Sequence, residues 1–185
     1  KKYDLYGKLN RVAFKGVRKA TADKMSQAIA KTAPVTHMDE ADVTELWEIR
    51  EKEKIIAEKK KVRLTFLPYI IKAAVETLKK HPYLNSELDE ENEEIILKQY
   101  YNIGFAVATK EGLFAPVIKR ADEKGLYEIA REIEELVEKS NARKINLGDL
   151  KGGTFSITNI GVIGGTFFTP IMNYPETAIL GIGKI

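Results

Sequence analysis

From its N-terminus onward, the chain switches between stretches with a helical apolar period and stretches with a strand-like one. Lys1–Gly7 has neither and reads as the ragged end of a linker, so the expected organisation is a linker remnant over 1–7 and one domain over 8–185. A first helix is expected over Val17–Lys31 (VRKATADKMSQAIAK), then a strand over Ala33–Val43 with Pro34 at its start, where a missing backbone donor costs little. Asp42-Val-Thr-Glu45 has the form of a capping box for the next helix. That helix contains EKEKIIAEKKK, a solvated face with ion pairs one turn apart. Thr65 is a candidate cap for a third helix, whose Leu67, Ile70, Ile71, Ala74 and Leu78 recur at helical spacing until His81-Pro82 stops it.

The second half reads differently. Asp89–Glu94 is an acidic turn between two short strands. In Tyr101–Thr109, Ile103, Phe105 and Val107 share one face and Gly104, Ala106 and Ala108 the other, so something packs closely against the small residues. A strand over Leu113–Ile118 precedes a helix with Leu126, Ile129, Ala130, Ile133, Leu136 and Val137 in phase. The chain closes with Thr154–Asn159, a glycine-rich turn and the apolar strand Thr177–Ile182. Helices and strands mix without strict alternation, which predicts an α+β fold, a mixed sheet with helices packed on it.

Composition narrows the function classes. The 185 residues are 44% hydrophobic and 31% charged, a globular mixture. Thirty basic and 27 acidic residues interleave to a formal charge of +3, which gives no electrostatic case for nucleic acid. The absence of cysteine excludes a disulfide framework, thiolate metal sites and a cysteine nucleophile, and fits a reducing compartment. No apolar run approaches the ~20 residues that span a bilayer, and no secretory signal is visible. A cytoplasmic protein without membrane contact is therefore expected.

Candidate chemistry is sparse. His37 and His81 are the two histidines, far apart in sequence and without zinc-site spacing, so no metal is expected. His81 reads as a helix-end residue. His37 and Asp39 would point the same way from a strand, either as a base with its orienter or as a half-buried histidine beside a carboxylate. Gly161-Val-Ile-Gly164-Gly165 follows a strand but lacks a Gly-Lys-Ser/Thr run and opens no helix. It reads as a turn needing positive φ or close backbone approach. Thr154, Ser156 and Thr158 share a strand face and Asn159 stands at the turn. Such a row of donors can bind a developing oxyanion, although an exposed threonine-rich strand has the same pattern.

Four ordered blocks carry a resemblance: FKGVRKATADKMSQAIAKTAPVTHMDEADVT, LTFLPYIIKAAVETLKKHPYLNSEL, YYNIGFAVATKEGLFAPVIKRAD and LKGGTFSITNIGVIGGTFFTPIMNYPETAILGIGKI. From about Val12 to Ile185 the chain resembles the catalytic domain of the dihydrolipoamide acyltransferases of 2-oxo acid dehydrogenase complexes. The resemblance implies a chloramphenicol-acetyltransferase-like fold, a homotrimer, often a larger cage, and partnership with lipoyl domains and the other subunits of such a complex. It implies acyl transfer between dihydrolipoamide, carried on a lipoyl domain, and coenzyme A. Thr158 and Asn159 match the family's oxyanion donors, and Arg18, Phe114, Pro116 and Lys119 match regions lining the coenzyme A side.

The family's catalytic histidine lies in an Asp-His-Arg-x-x-Asp-Gly motif that these 185 residues do not contain. The sheet is then expected to be incomplete at its C-terminal end, and the chain weak or inactive alone. Two competing expectations follow: a non-catalytic trimeric assembly module of the same descent, or a transferase with a displaced base at His37.

Overall fold

The computed structural model describes residues 3–185. Lys1 and Lys2, part of the expected linker remnant, lie outside them. The order is α1 (Val17–Lys31), α2 (Thr44–Lys59), α3 (Leu67–Lys80), a 3₁₀ turn (Pro82–Asn85), β1 (Ser86–Asp89), β2 (Glu94–Leu97), β3 (Ile103–Phe105), β4 (Val107–Thr109), β5 (Gly112–Phe114), β6 (Val117–Ile118), α4 (Leu126–Asn141), a second 3₁₀ turn (Leu147–Leu150), β7 (Phe155–Asn159) and β8 (Ile179–Ile182).

Local signals explain most helix ends. Asp42 Oδ1 accepts from the Thr44 N–H at 2.9 Å and its hydroxyl at 2.6 Å, holding the chain one residue before the N-cap Val43, which itself makes no side-chain cap, so the expected capping box does not form. Glu128 reaches back to the Gly125 N–H at 2.8 Å at the start of α4. The His81 N–H donates to Thr77 O at 2.9 Å and Pro82 follows, which ends α3 with His81 exposed on the surface. Thr65 does not cap α3, which starts after Phe66 without a side-chain cap and uses Pro68 in its first turn.

Three sheets form. The central one has strand order β6-β3-β7-β8: β6 runs antiparallel to β3, while β3, β7 and β8 are parallel. β1–β2 and β4–β5 are separate antiparallel hairpins. The register sets Ile103 against Phe155 and Ile118, and Phe105 against Ile157, so these side chains share one face. That face packs on Ile71, Val75 and Leu78 of α3 and Ile129 and Leu136 of α4, forming the main core. A smaller core joins Ala57 of α2, Val62, Leu64 and Ala130 of α4.

Three sequence expectations give way here. Tyr101–Thr109 is not one strand: at Ala106 the chain leaves the central sheet for the β4–β5 hairpin. Leu113–Ile118 is likewise divided by Ala115 and Pro116. Alternation survives a change of sheet, so periodicity alone does not reveal the break. The strand expected over Ala33–Val43 does not form: the segment has no ladder partner, and Val35 is 95% exposed. The segment finds no neighbouring strand with open hydrogen bonds among the described residues, and Pro34 removes one donor.

Candidate active site

β7 is the interior strand whose polar residues drew attention. It is paired on both sides, Thr158 with Gly181 and Asn159 with Ile182 of β8, and Phe155, Ser156 and Ile157 with β3. Phe155 and Ile157 enter the main core, whereas Thr154 and Ser156 are buried on the reverse face. Thr154 is bound into the fold through Asn102: its N–H donates to Asn102 O at 2.8 Å and its Oγ1 accepts from the Asn102 N–H at 3.2 Å. The Asn102 side chain donates to Gly152 O at 2.7 Å and accepts from the Arg120 N–H at 2.8 Å. The start of β7 is therefore pinned to β3 and to the chain leaving β6.

The far end of β7 is open. Thr158 is half-buried and Asn159 exposed. Asn159 Oδ1 accepts from the Gly161 N–H at 2.8 Å, an Asx turn that orients the side chain and leaves its amide N–H₂ uncommitted. The glycines then fold the chain back over the end of β8. A Cβ on Gly161 would lie 2.5 Å from Gly183 O, Gly164 and Gly165 hold φ of 105° and 115°, and the Lys184 N–H donates to Gly165 O at 3.2 Å. The glycine run is a structural turn with close backbone approach, as its sequence suggested.

An open cleft of about 560 Å³ lies against β8, lined by Ala33–Asp39, Leu84, Phe167, Phe168, Met172 and Gly181 among others. His37 and Asp39 both line it, but no hydrogen bond joins them, and Asp39 Oδ1 accepts from the Glu40 N–H at 2.8 Å. Thr158 and Asn159 do not line this cleft; Gly181, the partner of Thr158, does. His37 and the β7 donors thus belong to different surroundings.

The residues matched to the coenzyme A side are spread over two elements. Arg18 is exposed in the first turn of α1, and its neighbour Val17 packs on β5, where a Cβ on Gly112 would lie 2.9 Å from Val17 Cγ1. Phe114, half-buried, is on that same hairpin strand. Pro116 is enclosed, and its carbonyl accepts from the Phe105 N–H at 3.0 Å. Lys119 is exposed on a second groove, about 400 Å³, shared with Lys124, Arg131, Glu132 and Lys139. Among the described residues no cluster of three or more His, Asp or Glu side chains is placed to hold a metal ion.

The sequence reading missed two site-supporting residues. Asn102 carries no motif; its role comes from pairing three backbone segments. Glu176 is 3% exposed with Oε1 accepting from Asn173 Nδ2 at 2.8 Å, and burial, more than any other influence, pushes its carboxyl above the usual range. A lone acid before an apolar strand looks solvent-facing in sequence, and the one available hint was its place between Pro175 and that strand.

With this geometry in hand, the comparisons are specific. The model of the 2-oxoacid dehydrogenases acyltransferase (catalytic domain) family matches residues 6–185. The chain belongs to that family. It is 48% identical to the dihydrolipoyllysine-residue acetyltransferase component of the pyruvate dehydrogenase complex of Staphylococcus aureus, over 94% of this chain and 43% of that protein. The Staphylococcus epidermidis counterpart is 49% identical over 91% of this chain and 39% of its own length, so the chain spans about two fifths of these relatives. Among solved structures, Azotobacter vinelandii dihydrolipoamide acetyltransferase superposes with a TM-score of 0.94 at 41% identity, covering 97% of this chain and 74% of that one. The cubic core of the pyruvate dehydrogenase multienzyme complex gives 0.94 at 40%, with the same coverages. A truncated catalytic core of the Thermoplasma acidophilum 2-oxoacid dehydrogenase multienzyme complex gives 0.89 at 39%, over 95% of this chain and 80% of that one. The α+β architecture is thus that of the dihydrolipoamide acetyltransferase catalytic cores, as the four sequence blocks implied.

Proposed function

We propose that this chain supplies the core of a dihydrolipoamide acyltransferase, which moves an acyl group between dihydrolipoamide on a partner lipoyl domain and coenzyme A. The observation that carries the reading is the open end of β7 within a fold of this family. There the Asn159 amide is oriented by its own turn and, among the described residues, its N–H₂ donates to no partner, while Thr158 precedes it on the opposite face of the strand. In acyl transfer a thiolate attacks the thioester carbonyl, a carbon–sulfur bond forms, and the carbonyl electrons move onto oxygen. When the tetrahedral adduct collapses, the other carbon–sulfur bond breaks and the departing sulfur takes up a proton. Donors fixed before the reaction stabilise that oxygen without reorganising, which is where such sites gain most. Exposed Arg18 and Lys119 fit the phosphates of coenzyme A, which solvated cations bind.

The thiol proton needs a base. His37 lines the cleft against β8, which Thr158 and Asn159 do not line, and the Asp-His-Arg-x-x-Asp-Gly motif is absent from these 185 residues. The proposed reaction therefore needs a base that these 185 residues do not supply through that motif. Without that motif, these 185 residues alone transfer acyl groups about 10²–10⁴-fold more slowly than a complete product that carries it. An assay with free dihydrolipoamide and acyl-coenzyme A on both tests this, and equal turnover would overturn it.

The chain assembles as a homotrimer or a larger cage of trimers, alongside the other subunits of a 2-oxo acid dehydrogenase complex in the cytoplasm. Large apolar side chains left in water support assembly: Leu5, Val12 and Phe14 before α1, and Ile95, Ile96 and Leu97 on β2. Among the described residues no helix is long and apolar enough to cross a membrane. The same surface favours, as second reading, a non-catalytic assembly module. Sedimentation beside the assay separates the two, since assembly without activity in the complete product supports the module.

A further inference from the structure

The reverse face of the central sheet, away from α3 and α4, closes over a carboxyl group. Glu176 is 3% exposed. Its N–H donates to Asn173 O at 3.1 Å and its Oε1 accepts from Asn173 Nδ2 at 2.8 Å. Among the described residues its Oε2 has no hydrogen-bond partner, and neither has Oγ of Ser156, which is 4% exposed on β7. The two groups lie near enough for the Ser156 hydroxyl to act on the Glu176 carboxyl.

The space around them is shaped by glycines. A Cβ on Gly153 would sit 2.9 Å from Glu176 Oε1, and one on Gly104 would sit 3.0 Å from Ser156 Oγ. The absence of a Cβ at Gly104 leaves the space that Ser156 Oγ occupies.

No cation balances a charge here. Among the described residues Glu176 takes part in no ion pair. Lys24 of α1 and Lys98 after β2 act on it from a distance, and Lys98 Nζ is already held by Glu87 Oε2 at 2.6 Å. A buried ionised carboxylate without a partner is strongly disfavoured, whereas a neutral one with a bonded proton is not. Burial pushes this carboxyl up, and the opposing influences of Ser156, Asn173, Lys24 and Lys98 do not cancel it.

We infer that Glu176 is held as a neutral carboxylic acid whose Oε2 hydroxyl donates to Ser156 Oγ, locking β7 to the turn that leads into β8. The inference deepens the acyltransferase reading and rests on it for its consequence: Ser156 stands two residues before Thr158, and β8 pairs with both Thr158 and Asn159. Glu176 is then a positioning residue, acting on the donors through the strand.

The linkage has a definite sign. The folded carboxyl titrates above its unfolded value of about 4.3, so its contribution is fully present below that pH. It is lost as the pH rises through the folded value, where the proton bridging to Ser156 leaves.

The test needs neither acyl transfer nor coenzyme A, so its failure is separate from failure of the acyltransferase reading. Infrared spectra of the 185-residue chain, with and without carboxyl-labelled glutamate, are recorded at neutral pH for the wild type and Glu176→Gln. Thermal melts follow from about pH 5 to about pH 9 on both, with Glu176→Ala and Ser156→Ala. The expected result is a protonated-carboxyl stretch in the wild type that is missing in Glu176→Gln. The wild-type midpoint should also fall more steeply with rising pH than that of Glu176→Gln, whose amide keeps a neutral donor for Ser156. Glu176→Ala should melt lower throughout and Ser156→Ala should abolish most of the difference between wild type and Glu176→Ala. If Glu176→Ala does not fold, the spectra and Glu176→Gln decide. Absence of the protonated band at neutral pH, equal pH slopes, or failure of Glu176→Gln to fold overturns the inference.

Discussion

The strand Phe155–Asn159 and the segment over 33–43 both read as strands in the sequence, and both carry groups capable of chemistry. In the fold they are opposites. β7 has a parallel neighbour on each side, and its apolar residues are buried. The other segment has no ladder, and its Val35 and Met38 are 95% and 44% exposed. Alternation therefore marks a residue pattern that suits a strand, and a strand forms where neighbours offer open backbone groups. The difference matters for chemistry: donors on β7 are held by the sheet, while His37 sits on a segment that the sheet does not hold.

Substitutions sharpen this contrast. The largest effect is expected at Ile157, 1% exposed in the main core. Ile157→Ala should cost about 2–5 kcal/mol in denaturant unfolding, whereas Val35→Ala should stay within about 0.5 kcal/mol. Equal effects would show that β7 is no better packed than the free segment.

Gly161→Ala comes next. Its Cβ would meet a carbonyl rather than a yielding side chain, so the turn must shift. We expect a stability loss of roughly 1–3 kcal/mol, with acyl transfer by the complete product falling as Asn159 moves. Unchanged activity would show that the Asx turn does not aim the amide.

At the binding groups, Arg18→Ala and Lys119→Ala should each weaken coenzyme A binding by roughly 0.5–1.5 kcal/mol, read by isothermal titration. The loss should shrink at high salt, since both side chains are exposed. Smallest of all, His37→Ala should change kcat by less than about twofold, because general-base loss costs at least ~10². A fall of that larger size would move the base to His37.

Much of this could be read beforehand, for physical reasons. The bounds of α1 and the end of α3 at His81 follow from local signals, glycine before one helix and proline after the other. The apolar face of Ile103 and Phe105 was also legible, because sheet burial repeats every second residue. The break at Ala106 and the missing strand over 33–43 were not, since they depend on which strands become neighbours. Of the site, Thr158 and Asn159 stand out as polar residues ending a strand. Ser156 looked like a third donor of the same row, and the fold instead buries it against Glu176. Arg18, Phe114 and Lys119 came from family likeness, and no local pattern joins α1 to β5; the Val17–Gly112 contact does.

The open end of β7 carries the chemistry proposed for this chain. The decisive measurement is kcat of the complete product with and without Asn159→Ala, in the direction from acyl-coenzyme A to dihydrolipoamide. Loss of an oxyanion donor predicts a fall of about 10²–10³ with KM little changed. A kcat within a few-fold of wild type would contradict the assignment.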